Sequence, residues 1–130
     1  TGKEAFNLAW LDSQLAELDA ITATDVQTTL MEFTCTSITR AIRSCPLKVS
    51  EVYICGGGSH NSHLMQRLAQ YLAPATLANT AAIGMDPDWV EAVTFAWLAS
   101  RTLEGLSGNS PAVTGASGAR ILGGIYLSGI

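Results

Sequence analysis

The feature that most constrains the fold of this chain is a short apolar run, Val49–Cys55, that ends in three consecutive glycines, Gly56–Gly58. The run is rich in β-branched and aromatic residues, which is typical of a buried strand. A helix is expected to follow, with Asn61 or Ser59 as its N-cap. Glycines let a ligand approach the main chain closely, and a helix start offers unpaired N–H groups. The segment therefore predicts either a turn suited to a nucleotide or a tight turn that binds nothing.

The spacing of the glycines excludes two common phosphate-binding motifs. The segment is not Gly-x-Gly-x-x-Gly, and no Gly-Lys-Ser/Thr follows it, as a P-loop would require. His60 and His63 lie three residues apart, with Cys55 upstream. A zinc site needs about four ligands, and the chain has no second cluster of Cys and His. We therefore expect no metal site in this chain.

The residues before the apolar run predict two helices. The first extends from Thr1 to about Asp19, where Thr1 and Glu4 have the spacing of a capping box. The second opens with a similar box at Thr24–Gln27 and runs toward Cys45, because Pro46 stops it.

After the glycines in the sequence, the pattern predicts a helix, a strand, a second helix and a long loop. The strand is expected at Thr76–Thr80, the second helix from Asp86 to Leu103, the loop from Gly105 to Gly118, and a last apolar segment at Ile121–Leu127. The buried face of the first of these helices is expected to comprise Leu64, Met65, Leu68, Ala69 and Leu72. In the helix up to Leu103, the apolar faces are expected to include Ala92, Phe95, Ala96 and Ala99. This order of elements predicts an α/β fold in one domain, residues 1–130.

Three acidic residues, Asp86, Asp88 and Glu91, lie close together at the predicted start of that second helix. They could be paired carboxylates for acid–base chemistry. Alternatively they cap the helix, since Asp88 and Glu91 have capping-box spacing and acids belong in a first turn. The sequence alone favours capping.

Composition and charge exclude several classes of partner. The net charge is −4 and the seven basic residues are scattered, which argues against a nucleic-acid partner. No run of 18 apolar residues predicts a membrane span, and residues near Thr1 do not resemble a signal peptide. The chain lacks an initiating Met, which suggests a fragment or a processed product. The three tryptophans are expected to be core or interface anchors.

The three cysteines, Cys35, Cys45 and Cys55, show no paired spacing. We expect all three to be small core residues in a reducing compartment, by default the cytoplasm.

Several blocks of the sequence together resemble one enzyme family. They are TGKEAFNLAWL, DVQTTLMEFTCTSI, VYICGGGSHNSHLMQRLAQYL, GMDPDWVEAVTFAWLASRTLEGLSGNSPAVTGASG and ILGGIY. The most specific are Gly84–Ala99 and Arg101–Gly115. In these blocks, over essentially the whole chain, the sequence resembles the anhydro-N-acetylmuramic acid kinase family.

The resemblance implies a two-lobed fold of the actin, hexokinase and Hsp70 type, with ATP in the cleft between the lobes. This chain would be the carboxy-terminal part of one ribonuclease H-like lobe, with helices packed on a small mixed sheet. Family members are expected to open 1,6-anhydro-N-acetylmuramic acid with water and to phosphorylate the released 6-hydroxyl. The product is N-acetylmuramic acid 6-phosphate, made during peptidoglycan recycling in the bacterial cytoplasm. A homodimer is expected.

The resemblance also implies roles for individual residues. Gly56, Gly57 and Gly58 match the adenosine-binding glycines, and Ser59, His60 and Asn61 would border the adenosine site. Glu91 matches an acidic position that we expect at the sugar site.

The sequence departs from the family at the phosphate loops. The amino-terminal loop of the form GTMSGTSLDG, the second phosphate loop and the aspartate base are missing from these 130 residues. We therefore expect no catalytic residue in this chain, Mg²⁺ ligands outside it, and no kinase turnover by the chain alone. Two other classes stay open: a non-catalytic nucleotide- or sugar-binding module, and a structural or oligomerising domain.

Overall fold

The computed structural model describes residue 2 and residues 4–126. The chain divides into two compact units, Thr1–Leu47 and Lys48–Ile130. No helix in the described part is both long and apolar enough to cross a bilayer.

The first unit begins with helix α1, Leu8–Leu15, which is shorter than the predicted helix at residues 1–19. Asn7 has extended backbone angles, and its side-chain oxygen accepts a hydrogen bond from the Trp10 N–H at 3.0 Å. This cap starts the helix at Leu8, after Glu4. The predicted contribution of Thr1 lies outside the described residues.

Helix α2, Ala23–Arg43, ends shortly before Pro46, as predicted. Its capping box, however, lies two residues before the predicted one. Thr22 Oγ1 accepts a hydrogen bond from the Asp25 N–H at 3.2 Å, and Asp25 Oδ2 accepts one from the Thr22 N–H at 3.3 Å. The prediction at Thr24 was wrong because Asp25 serves as the third helical residue of a box that opens at Thr22.

We expect Thr22→Ala to lower the free energy of unfolding of the first unit by about 1 kcal/mol, because the N–H of Asp25 loses its acceptor. Thermal unfolding followed through the backbone amide signals of α2 measures this loss in the first unit. The matched control is Thr24→Ala, which lies inside α2 and should change stability little, since alanine is a good helix former. A larger loss for Thr24→Ala than for Thr22→Ala would contradict the observed box.

The second unit contains a β–α–β unit. Strands β1, Glu51–Ile54, and β2, Thr76–Asn79, pair in parallel, with Glu51 opposite Thr76 and Ile54 opposite Asn79. Helix α3, Ser62–Leu72, connects them and packs against β2. Within the described residues the sheet has these two strands and is parallel rather than mixed. The α/β class and both strands are as predicted. The predicted burial of β1 was wrong. Its residues alternate between exposed and half-buried, since the sheet has β2 on one side of it and no strand among the described residues on the other.

Helix α3 provides the core of the second unit. Asn61 is its N-cap, one of the two predicted alternatives, and its side chain accepts a hydrogen bond from the Leu64 N–H at 3.1 Å. Leu68 and Leu72 are buried, whereas Leu64 and Met65 are half-buried. Ala69 is exposed, so its predicted place in the core was wrong.

Helix α4, Val90–Leu103, begins four residues after the predicted start at Asp86. The Asp86 side chain instead accepts a hydrogen bond from the Asp88 N–H at 2.9 Å, which forms a turn that competes with the helix. The helix buries none of its residues, so the predicted apolar faces with Ala92, Phe95, Ala96 and Ala99 are exposed in this structure. Trp89 and Trp97 are likewise exposed and do not belong to the core of this unit.

The predicted loop after Gly105 contains a short helix, α5, at Pro111–Thr114. Asn109 closes the loop, because its amide nitrogen donates to the Gly118 carbonyl at 3.1 Å and its oxygen accepts from the Arg120 N–H at 2.7 Å. Residues 121–126 form no regular secondary structure, and Leu127 of the predicted last segment lies outside the described residues.

Among the cysteines, Cys35 is fully buried on α2, as predicted. Cys45 and Cys55 are exposed, so the prediction that they belong to the core was wrong. Cys45 follows the end of α2, and Cys55 follows the last residue of β1.

Candidate functional site

The glycine turn after β1 has a conformation that requires glycine at its first position. Gly56 has φ 72° and ψ −174°, a backbone region that is essentially restricted to glycine. Gly57–His60 then form one 3-10 turn that leads into α3. Ser59 donates to the Gly56 carbonyl through both its N–H, at 3.0 Å, and its hydroxyl, at 2.8 Å. The turn is therefore ordered by its own hydrogen bonds.

Two of the three glycines leave the main chain open to a ligand. A Cβ atom added at Gly56 or Gly57 would meet no heavy atom within 4 Å. A Cβ atom at Gly58 would lie 3.6 Å from Leu64 Cδ2, an ordinary van der Waals contact. Open space thus lies beside the α-carbons of Gly56 and Gly57, whereas the α-carbon of Gly58 lies near Leu64 of α3.

A cavity of about 440 Å³ adjoins these two glycines. On one side it is bounded by the end of β1 and the glycine turn, and on the other by the start of α4. The described residues that line it are Cys55, Gly56, Gly57, Pro87, Asp88, Val90, Glu91 and Thr94. The structure therefore brings together Glu91 and two of the predicted glycines, which are more than 30 residues apart in the sequence.

Three other predicted site residues do not line this cavity: Ser59 and His60 lie within the turn, and Asn61 follows it. The Ser59 hydroxyl donates to Gly56, and the Asn61 side chain caps α3. The His60 imidazole Nε2 lies 2.7 Å from Asp88 Oδ1. Each of these side chains is thus already engaged in holding the turn or the helix that follows it.

The acidic residues have separate partners rather than forming a capping box. Asp88 bonds to His60, and α4 has Trp89 at its N-cap position with no side-chain hydrogen bond. Glu91 lies in the first turn of α4 and faces the cavity. The predicted capping role of Asp88 was therefore wrong, whereas Glu91 retains a favourable position near the positive end of the helix dipole.

Sequence reasoning missed several residues of the site. Cys55, Pro87 and Thr94 line the cavity, although no motif indicated it. The contact between the Gly56 N–H and the Pro87 carbonyl, at 2.8 Å, joins the two sides of the cavity. In the sequence, Pro87 and the glycines each indicate a turn, but no spacing relates the two turns to each other.

Tyr53, two residues before the cavity-lining Cys55, has a hydroxyl group with a shifted pKa. On β1, the exposed Tyr53 hydroxyl donates to Glu51 Oε2 at 2.8 Å, and this hydrogen bond to a carboxylate raises the pKa of Tyr53. No three His, Cys, Asp or Glu side chains gather as a metal site within the described residues.

A parallel β–α–β unit with an open glycine turn at the carboxyl end of its first strand is typical of α/β proteins that bind ligands at a strand end. Comparison with known proteins identifies the family. The family model for anhydro-N-acetylmuramic acid kinase matches residues 1–128. This chain therefore belongs to the anhydro-N-acetylmuramic acid kinase family.

Curated relatives agree with this assignment. An anhydro-N-acetylmuramic acid kinase from Pseudomonas fluorescens is 52% identical over 126 residues, which cover 97% of this chain and 35% of the relative. One from Pseudomonas putida has the same identity and coverage. One from Shewanella pealeana is 49% identical over 129 residues, covering 97% of this chain and 34% of the relative. The chain thus spans about a third of the length of the curated relatives that it matches.

Proposed function

We propose that this chain is the adenosine-binding, carboxy-terminal part of an ATP-dependent kinase with an actin-like fold. The whole enzyme would open 1,6-anhydro-N-acetylmuramic acid with water and phosphorylate it to N-acetylmuramic acid 6-phosphate. Residues 1–130 would form a single domain, the carboxy-terminal part of a two-lobed enzyme. Membership in the family supports this reaction, and ATP follows as the phosphate donor. The enzyme would act in peptidoglycan recycling in the bacterial cytoplasm.

The observation that carries the adenosine assignment is the open main chain of Gly56 and Gly57 beside a cavity of about 440 Å³. That volume falls within the range of about 300–1,000 Å³ that is common for small-molecule sites. A flat purine ring can lie against a peptide backbone only where no side chain separates them, and the two glycines provide such a surface. Gly58 to Asn61 would hold that surface in position, because they form the rest of the turn and the N-cap of α3.

Glu91 is the residue of this chain that we assign to the sugar. Glu91 lines the same cavity as the glycines, and a carboxylate can accept hydrogen bonds from sugar hydroxyls. Phosphate contacts, the Mg²⁺ ligands and the base that activates water would come from other parts of the enzyme. Mg²⁺ would neutralise charge on the phosphates of ATP during transfer.

The apolar surface of α4 supports the further proposal that other polypeptide covers this chain in the whole enzyme. Phe95, Trp97 and Leu103 are exposed large apolar residues on one helix, and Trp89, which precedes it, is 63% exposed. Burying apolar surface is favourable, so four large exposed side chains along or next to one helix favour a covering surface. We propose two sources for the covering surface: the amino-terminal part of the enzyme and the second subunit of a homodimer.

Titration of the 130-residue chain with adenosine, ADP and ATP, followed by calorimetry, tests the proposed function. We expect the three dissociation constants to agree within about threefold, because a chain that contacts adenosine alone gains little from added phosphates. Inorganic triphosphate is the matched control and should not bind.

Two results would contradict this proposal. Much tighter binding of ATP than of adenosine would mean that this chain holds the phosphates itself. Absence of binding by all three ligands would favour the alternative, a structural or oligomerising module, which the exposed apolar residues of α4 also support.

A further inference from the structure

We propose that Asp88 is a positioning residue, which holds the glycine turn in place through the imidazole of His60. This inference rests on the proposed adenosine site, because it assigns the residue that keeps the two sides of that site together. Asp88 itself lies 28 residues after His60 in the sequence, and their side-chain atoms Oδ1 and Nε2 are 2.7 Å apart.

Three consecutive residues before α4, Asp86–Asp88, each supply one contact; we call them the clamp. Asp86 Oδ1 accepts a hydrogen bond from the Asp88 N–H at 2.9 Å, which fixes the clamp in a turn. The Pro87 carbonyl accepts from the Gly56 N–H at 2.8 Å. The Asp88 carboxylate then reaches His60. The first contact orders the clamp, and the other two connect it to the glycine turn.

These two connections reach the turn at opposite ends, Gly56 and His60. The internal hydrogen bonds from Ser59 to Gly56 order the turn itself, and the Gly56 contact alone would connect it to the clamp at one end only. The second contact, at His60, connects the other end of the turn to the clamp as well. Because Gly57 lies between the two fixed points, the open main chain is held facing the cavity that Asp88 also lines. Such preorganisation raises affinity by reducing the ordering that binding requires.

The Asp88 carboxylate has no competing role as a helix cap. Helix α4 begins at Val90 with Trp89 at its N-cap position, and no side-chain hydrogen bond from the described residues caps it. Both members of the pair are more than half exposed, His60 by 59% and Asp88 by 57%. Replacing either is therefore expected to leave the packing of Leu68 and Leu72 unchanged.

Hydrogen exchange and adenosine affinity, measured on Asp88→Ala, test the inference. We expect the Gly56 amide to exchange about threefold faster and adenosine to bind about threefold more weakly, since exposed side-chain contacts contribute modest energies. The Thr76 amide, which donates to the Ser50 carbonyl at 2.9 Å, is the internal control and should keep its exchange rate.

Variants of the partner separate positioning from a general loss of structure. His60→Ala should reproduce both effects. His60→Gln should show smaller effects than His60→Ala, because the glutamine amide nitrogen can donate to Asp88. In the double variant His60→Ala, Asp88→Ala, the losses should not exceed those of either single variant, as expected for one shared interaction. Asp88→Asn keeps the Oδ1 acceptor and should fall between Asp88→Ala and the original chain.

The two readouts distinguish this inference from the proposed function. If adenosine does not bind the original chain but Asp88→Ala still speeds exchange at Gly56, the clamp is upheld and the adenosine assignment fails. If adenosine binds but Asp88→Ala changes neither Gly56 exchange nor affinity, the clamp is overturned. Losses that add fully in the double variant, or equal acceleration at Thr76, would also overturn it.

Discussion

Replacing Leu68 with alanine is expected to lower the free energy of unfolding of the second unit by about 3 kcal/mol, the middle of the range for buried leucines. Leu68 is 1% exposed and lies on α3, the helix that packs against β2. Among the described residues of this unit, Leu72 is the other buried leucine, at 6% exposed. With so small a core, a cavity at Leu68 has few neighbours that can close it.

The loss is measured by urea unfolding, followed through the backbone amide signals of β1 and β2. Signals from these strands report the second unit alone, which matters because two units can unfold separately. The control is Leu103→Ala, a leucine that is 75% exposed on α4 and should change stability by less than about 0.5 kcal/mol. Equal losses for the two variants would mean that α3 does not form the core described above.

Gly56→Ala is expected to lower the free energy of unfolding of the same unit by about 2 kcal/mol, since ψ −174° at φ 72° is strained for any residue with a Cβ atom. The cost arises from the backbone alone, because an added Cβ atom at this position meets no neighbour within 4 Å. Urea unfolding with the same strand signals measures it.

Gly57→Ala is the matched control for that prediction. Its added methyl group also meets open space, but Gly57 does not share the positive φ of Gly56. We therefore expect Gly57→Ala to leave stability nearly unchanged. A loss at Gly57 as large as the loss at Gly56 would show that the turn is closely packed, and that its main chain is not open.

The strand, turn and helix around the glycines could be predicted because their signals are local. A β-branched run predicts β1, the glycines break it, and Asn61 lies at the cap position of α3. The starts predicted for α2 and α4 were misplaced for equally local reasons. Thr22 caps α2 because Asp25 is its third helical residue, and the Asp86 side chain bonds the backbone of a turn before α4.

Burial and long-range contacts could not be predicted from the sequence. The apolar spacing of α4 predicts a face that favours burial, but periodicity does not say which surface covers it, and this helix buries none of its residues. The His60–Asp88 contact joins residues 28 positions apart, so neither helical nor strand spacing relates them. The cavity that contains Glu91 and the glycines follows from the same long-range arrangement.

Backbone amide chemical shifts of the isotope-labelled chain, recorded while adenosine is added, test most directly whether the open main chain binds a nucleoside. We expect the largest changes at Gly56 and Gly57, with smaller ones at Glu91 on the opposite side of the cavity. Thr102, which lines a separate groove of α4, should stay unchanged. Changes centred on that groove, or unchanged signals at both glycines, would contradict the assignment of this turn to adenosine.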